Sequence, residues 1–152
     1  MARTISYRGG IELGVIIIDG DPVPKQRPRF GRGRMFTPKP TIEYEQRVAE
    51  EYKAQKGEIF DLDPVKLVIR AYYRIPKSAS LRQQRACRTG MMVPTKRPDL
   101  DNIIKIIMDG LNGVAYADDK QVVYVTAGKE YSDTPRVEIE VLPHFGKGGI
   151  ER

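Results

Sequence analysis

The sequence predicts a small single domain of the α+β class, in which a mixed β-sheet packs against helices. Three observations lead there. Alternate positions from Val65 to Ile75 are apolar (Val65, Leu67, Ile69, Ala71, Tyr73, Ile75), the period-two signature of a half-buried strand. From Leu100 to Asn112 the apolar residues recur at helical spacing and cover most of the circumference, as in a largely buried helix. The elements follow in the order strand, helix, strand, helix, helix, strand, strand, which lacks the regular alternation of an α/β fold.

Each element has its own signal. Leu13 to Asp19 contains a VIII run and reads as a buried strand, and Gly20 to Pro40, rich in Pro, Gly and Arg, reads as a loop. Thr41 is placed as the N-cap of a helix from Ile42 to Lys56 that ends at Gly57. In the strand from Val65 to Ile75, Lys66, Arg70 and Arg74 point away from the apolar side, so a basic sheet face is expected. Ser80 to Thr89 reads as a short helix and Leu100 to Asn112 as a longer one. Gln121 to Tyr131 and Arg136 to Val141 read as strands separated by a polar turn around Asp133 and Pro135. No repeat or composition shift divides residues 1–152, and residues 1–10 and 143–152 are expected to be flexible tails.

At 152 residues, 40% hydrophobic and 30% charged, the chain has ordinary globular values. Its apolar runs fall far short of the roughly 20 residues a membrane span needs, so no membrane partner is expected. The start, MARTISYRGG, lacks the zones of a signal peptide, and a single cysteine, Cys87, cannot close an internal disulfide. A reducing cytoplasm is therefore the expected compartment. Neither Cys87 nor His144 has a spaced partner, and neither is assigned a role. The net charge is +6 and the pI about 9.5, which favours a polyanionic partner. Five cations fall within ten residues in KQRPRFGRGR: Lys25, Arg27, Arg29, Arg32 and Arg34. Glycines there allow close approach to a phosphate backbone, and Phe30 is available to pack on a base or sugar. A second basic group, including Lys96 and Arg97, precedes an acidic motif.

That motif is KRPDLDNIIKIIMD. On a helix from Leu100 onward, Asp101, Lys105 and Asp109 lie four apart on one face, and Asp99 stands at the N-cap, where the backbone is still extended. A cap residue and a first-turn residue can converge on one ion, although two mid-helix residues two apart cannot. Hard divalent cations such as Mg²⁺ take oxygen ligands, and a D-x-D pair supplies two compactly. A second acidic group, Asp118 and Asp119 in ADDKQVVYV, precedes a strand; adjacent acids repel unless solvent or a metal relieves them. Plainer accounts exist: Asp99 and Asp101 could cap the helix and complement its dipole, Asp101, Lys105 and Asp109 could form an ion-pair ladder, and Asp118 and Asp119 could be a polar turn.

Taken together, RPDLDNIIKIIMDGLNG, ADDKQV and the earlier PVPKQRPRFGRGRMFTP resemble the RusA family of Holliday junction resolvases. The family pattern is D-L-D-N-x-x-K-x-x-x-D-x-L, a short spacer and D-D-x-x-V. The resemblance implies a homodimeric α+β enzyme that uses Mg²⁺ or Mn²⁺ to cut four-way DNA junctions symmetrically in recombination and repair. Matched by position, Asp99, Asp101 and Asp119 fall on its catalytic, metal-holding aspartates and Lys105 on its functional lysine, with Asp118 as a neighbour that can assist. Lys105 is expected to stabilise charge rather than act as a general base. Lys25, Arg27, Arg29, Arg32, Arg34, Lys96 and Arg97 are the expected DNA contacts.

Two other readings stay open on the sequence. Pro98-Asp99 with Asp118-Asp119-Lys120 satisfies the loose PD…(D/E)-x-K pattern of restriction-type nucleases, although that pattern wants its D/E-x-K inside a strand. Alternatively, the chain is a non-catalytic nucleic-acid-binding module whose acids merely cap and pair.

Overall fold

The computed structural model describes residues 4–6, 12–55 and 58–146. In chain order its strands are β1 (Thr4–Ser6), β2 (Glu12–Gly14), β3 (Ile16–Asp19), β4 (Arg29–Gly31), β5 (Arg34–Phe36), β6 (Val65–Arg74), β7 (Val122–Ser132) and β8 (Arg136–Pro143). The helices are α1 (Lys39–Ala54), α2 (Leu81–Arg88) and α3 (Leu100–Leu111). The main sheet has the order β3-β8-β6-β7; β6 and β7 are parallel and the other neighbours antiparallel, giving a mixed sheet in an α+β domain.

Strand β6 is central because its sequence is the most regular in alternation. Val65, Leu67, Ile69, Ala71 and Tyr73 are all buried, while the intervening residues are half-buried or exposed. The apolar side receives Tyr44, Val48 and Tyr52 of α1 and Ile103, Ile106, Ile107 and Leu111 of α3. Gly110 lets the two helices close together: a Cβ there would lie 2.9 Å from Val48 Cβ and 3.1 Å from the Glu45 carbonyl. The outer edge of β3 is closed by a side chain, since the Gln55 amide accepts from Ile17 N (3.1 Å) and donates to Ile17 O (3.3 Å). Among the described residues no comparable bond closes the outer edge of β7, which is 11 residues long.

Parallel neighbours cannot be joined by a tight turn, so the chain passes from β6 to β7 by a crossover through α2 and α3. This fixes the direction of α3. Its N-terminus lies where β6 ends, and its C-terminus lies where β7 begins.

Several expectations are corrected by the structure. The stretch from Leu13 to Asp19 is two strands, with Glu12–Gly14 pairing β1 and Ile16–Asp19 pairing β8. The segment from Gly20 to Pro40 is not wholly loop, because β4 and β5 form a hairpin around Arg32 and Gly33, both at positive φ (49° and 75°). Helix α1 begins at Lys39, with Pro38 at the cap and Pro40 in the first turn, where a missing N–H is harmless. Thr41 is instead fully buried, its Oγ1 accepting from Gln26 N at 3.2 Å, so it anchors the basic loop rather than capping the helix.

The expected tails are partly built into strands: Thr4–Ser6 pairs with β2 in a separate two-stranded sheet, β8 extends to Pro143, His144 N donates to Pro64 O, and its ring stacks on Tyr124 at 5.6 Å. The rest of those tails, 1–3, 7–10 and 147–152, lies outside the described residues. The outer sheet face is of mixed charge rather than basic, because β8 sets Glu138 beside Arg70 and Glu140 beside Val68. Strands β7 and β8 do not pair, since β6 lies between them.

Candidate functional site

The acidic motif occupies the junction of β6, the 96–99 segment and α3. Tyr73, the last inward residue of β6, donates its hydroxyl to Pro98 O. Burial, with the Asp99 charge nearby, pushes that phenol up to about 12, so it stays a donor across the working pH range. The Arg97–Pro98 peptide is cis. Lys129 Nζ donates to Lys96 O at 2.6 Å and lies 5.0 Å from the Tyr73 ring, fixing the segment from the sheet side.

Asp99 is the N-cap of α3 by position (φ −71°, ψ 146°), and its carbonyl accepts from Ile103 N at 3.2 Å. Its carboxylate, however, makes no capping bond and is exposed. Asp101, in the first turn, is exposed as well. The helix start therefore presents two carboxylates that local structure does not consume, which weighs against capping as the whole explanation of Asp99.

The basic loop lies against this helix start. Lys25 N donates to Asn102 O at 3.0 Å, tying the loop to the first turn of α3. Between them is a cleft of about 480 Å³ whose wall carries Arg27, Arg29, Arg97, Asp99 and Asn102. On the other side of Arg97 and Pro98 a smaller recess, about 260 Å³, is lined by Asp21, Tyr73, Arg74 and Lys96. The fold thus brings two of the loop arginines, Arg97 and Asp99 together, while Arg32 and Arg34 stand exposed on the β4–β5 hairpin. Lys96 lies 5.8 Å from the Tyr131 ring. Arg74, Tyr73 and Lys129 are additions that the sequence did not single out as site residues; the alternation of β6 had put Arg74 on a surface, but only the fold puts it beside Lys96.

Lys25 also lines the cleft, but as a paired cation. Its ammonium bridges Glu45 of α1 and, at 2.9 Å, Asp109 of α3. Burial alone would lower this lysine, but hydrogen bonds to Glu45 and Asp109 outweigh it and raise it above its usual value. Asp109 shows the converse: burial would raise it, yet bonds from Lys25 and from Lys105 (3.1 Å) hold it below the usual carboxylate range. Lys25 thus acts as a clamp between loop, α1 and α3 at the wall of the cleft.

The second acidic group lies elsewhere. Asp118 caps a single 3-10 turn, Asp119–Gln121, accepting from Lys120 N at 2.9 Å, and that backbone bond is the main cause that lowers it. Asp119 is half-buried. Its charge and that of Asp109 both act on the phenol of Tyr116, whose hydroxyl donates to Met108 O at 2.7 Å; this sets Asp119 beside the C-terminal half of α3. Asp99 and Asp101 are at the other end of that 12-residue helix, about 18 Å long. Within one chain, then, Asp99 and Asp101 share the start of α3, and Asp119 lies toward its other end. Among the described residues no three Asp, Glu, His or Cys side chains group closely enough to hold one ion. The donor chemistry suits a hard cation, but a single chain supplies only half of the expected set.

Asp118 to Lys120 lies in a turn before β7 rather than in a strand, so the strand-borne D/E-x-K of a restriction-type nuclease is not met. Among the described residues no helix is long and apolar enough to cross a membrane.

The cleft is walled by Arg27, Arg29 and Arg97 with the Asp99 carboxylate at its rim, a lining whose cations suit a phosphate-bearing ligand. The model of the RusA endodeoxyribonuclease family matches residues 19–142. The chain is 34% identical over 128 residues to the uncharacterized protein YqaN of Bacillus subtilis, covering 80% of this chain and 90% of that one. It is 32% identical over 95 residues to the crossover junction endodeoxyribonuclease rusA of Lactococcus phage r1t, covering 61% of this chain and 66% of the phage protein. The chain belongs to the RusA family of endodeoxyribonucleases. It is accordingly a nuclease.

Proposed function

We propose that this protein is a divalent-metal-dependent resolvase of four-way DNA junctions, acting as a two-fold dimer in the bacterial cytoplasm, in recombination and repair. The observation that carries the reading is the start of α3, where Asp99, without a capping bond, lines an arginine-walled cleft and Asp101 follows exposed in the first turn. The name of the phage relative supports the junction substrate. Carboxylate oxygens suit Mg²⁺ or Mn²⁺, and an ion so held supplies water activation and charge neutralisation for phosphodiester hydrolysis.

The chain's own residues divide the remaining work. Arg27, Arg29 and Arg97 neutralise phosphates on either side of the scissile bond, with Lys96 beyond them and Arg32 and Arg34 contributing from the hairpin. Lys105, one turn beyond Asp101, balances charge near the scissile phosphate. Asp119, with Asp118 beside it, serves the site of a second copy. A two-fold partner whose β7 runs antiparallel along the open edge of this β7 would set its Asp119 near Asp99 and Asp101 of this chain, and the reverse, giving two equivalent sites for the two-fold symmetric junction.

The test compares four-way junction and linear duplex in Mg²⁺, Mn²⁺ and EDTA. Wild type should nick the junction in either metal, symmetrically, and stop in EDTA. Asp101→Asn should keep junction binding and lose nicking by on the order of 100-fold or more. Equal cutting of linear duplex, or undiminished nicking in EDTA, overturns the reading.

A further inference from the structure

The β4–β5 hairpin places an apolar pair on one face and two arginines with a phenylalanine on the other. Register pairs Phe30 with Met35, Arg29 with Phe36 and Gly31 with Arg34, and side chains alternate between faces in each strand. Phe30 and Met35 therefore share one face, while Arg29, Arg34 and Phe36 share the other. Phe36 lies over Gly31, its ring 3.0 Å from where a Cβ there would be, and is 45% exposed. Phe30 and Met35 are more exposed still, at 72% and 62%. The turn between the strands takes positive φ at both Arg32 and Gly33, the primed geometry that matches strand twist, so the tip is a defined ribbon rather than a slack loop. Arg29, the residue before Phe30, lines the main cleft.

We infer that Phe30 and Met35 form a wedge that packs on base faces opened at the branch point of a junction, making this hairpin the element that distinguishes branched from linear DNA. The inference rests on the junction-nuclease reading above. Three arginines on the same short ribbon select a polyanion as the occupant of this apolar pair. In linear duplex the base faces are stacked away, and an exposed Phe–Met pair meets only backbone and groove. At a branch point stacking is interrupted, and aromatic or apolar side chains can take the place of the missing neighbour.

The experiment places 2-aminopurine at the centre of a four-way junction and at the same sequence in a linear duplex, using the full-length protein in Ca²⁺ to measure binding. Wild type should raise the junction fluorescence and leave the duplex signal unchanged. The double variant Phe30→Ser, Met35→Ser should lose the fluorescence rise and bind the junction about tenfold more weakly, with duplex affinity held within about twofold. Phe30→Trp should keep both. Arg32→Ala, a control on the same hairpin, should weaken junction and duplex alike and reduce the salt dependence of each. The wedge is overturned if the double variant binds and unstacks the junction as wild type does. It is also overturned if light scattering shows that the double variant has lost self-association, which would assign Phe30 and Met35 to a contact between copies. A wild type that binds and unstacks the junction yet cuts no DNA would instead sink the nuclease reading and leave the wedge standing.

Discussion

Lys25 joins three elements through two carboxylates, and its side chain is only 24% exposed, so its charge is spent inside the fold. The pH behaviour follows from the directions of the two shifts. Asp109 is lowered in the fold, so its contribution is complete above its unfolded value near 3.8 and is lost as pH falls through the lower folded value. Lys25 is raised, so its contribution is complete below 10.5 and is lost as pH climbs through the higher folded value. Lys25→Met should lower stability at neutral pH by roughly 1–2 kcal/mol, a gap that closes at both extremes; chemical denaturation at a series of pH values reads it directly, and a gap independent of pH would mean the clamp acts by packing alone. Tyr44 offers the opposite case. Its hydroxyl is buried and has no hydrogen-bond partner among the described residues, so Tyr44→Phe should leave stability within about 0.5 kcal/mol or raise it. At this scale the sequence could propose Asp99 and Asp101 from spacing and residue type. It could not show that Asp99 leaves its carboxylate uncommitted, or that Lys25 is engaged by Glu45 and Asp109, because both depend on how α1 and the 24–29 loop sit against α3.

The elements whose own sequence holds a full period were legible: β6, α2, α3, β7 and β8 begin and end within two residues of where alternation, helical spacing and caps put them. The β4–β5 hairpin was not, because its strands have three residues each and its turn is Arg-Gly rather than the Asn-Gly or Asp-Gly that signals a primed turn. Nor could sequence order reveal that β6 lies between β7 and β8, since the three residues joining those strands look like an ordinary hairpin loop. Packing between elements gives the sharpest test at Gly110. In an isolated helix Gly→Ala would stabilise by up to about 1 kcal/mol. Here the new methyl would meet Val48 Cβ at 2.9 Å and the Glu45 carbonyl at 3.1 Å, and backbone cannot move aside as a side-chain tip can. Gly110→Ala should therefore destabilise by about 1–3 kcal/mol despite its better propensity, seen as a lower urea midpoint with unchanged slope. A midpoint equal to or above wild type would show that α1 and α3 slide apart freely, and the placement of the cleft would then be less fixed than the contact implies.

Across the whole molecule the crossover from β6 to β7 decides what one chain can do. It lays α3 along the sheet, so Asp99 sits level with Tyr73 and Asp119 close to Val65, eight residues and about 26 Å back along β6. The motif spacing read from sequence had implied one converging site, because spacing carries no information about which end of a crossover helix a loop returns to. If two copies complete each other's sites, the two half-motifs must complement between subunits. Asp101→Asn and Asp119→Asn should each be inactive alone. Mixed by co-refolding, they should regain nicking, because a mixed dimer has one site with both changes and one with neither. With random pairing half the dimers are mixed, so about a quarter of the wild-type nicking rate should return. The regained products should be single nicks rather than paired cuts, since only one site per dimer is whole. If Asp99, Asp101 and Asp119 instead met within one chain, every site in the mixture would carry one change and no activity would return. Restoration measured on a four-way junction, against unmixed samples of each variant, separates these two architectures whichever surface the two copies share.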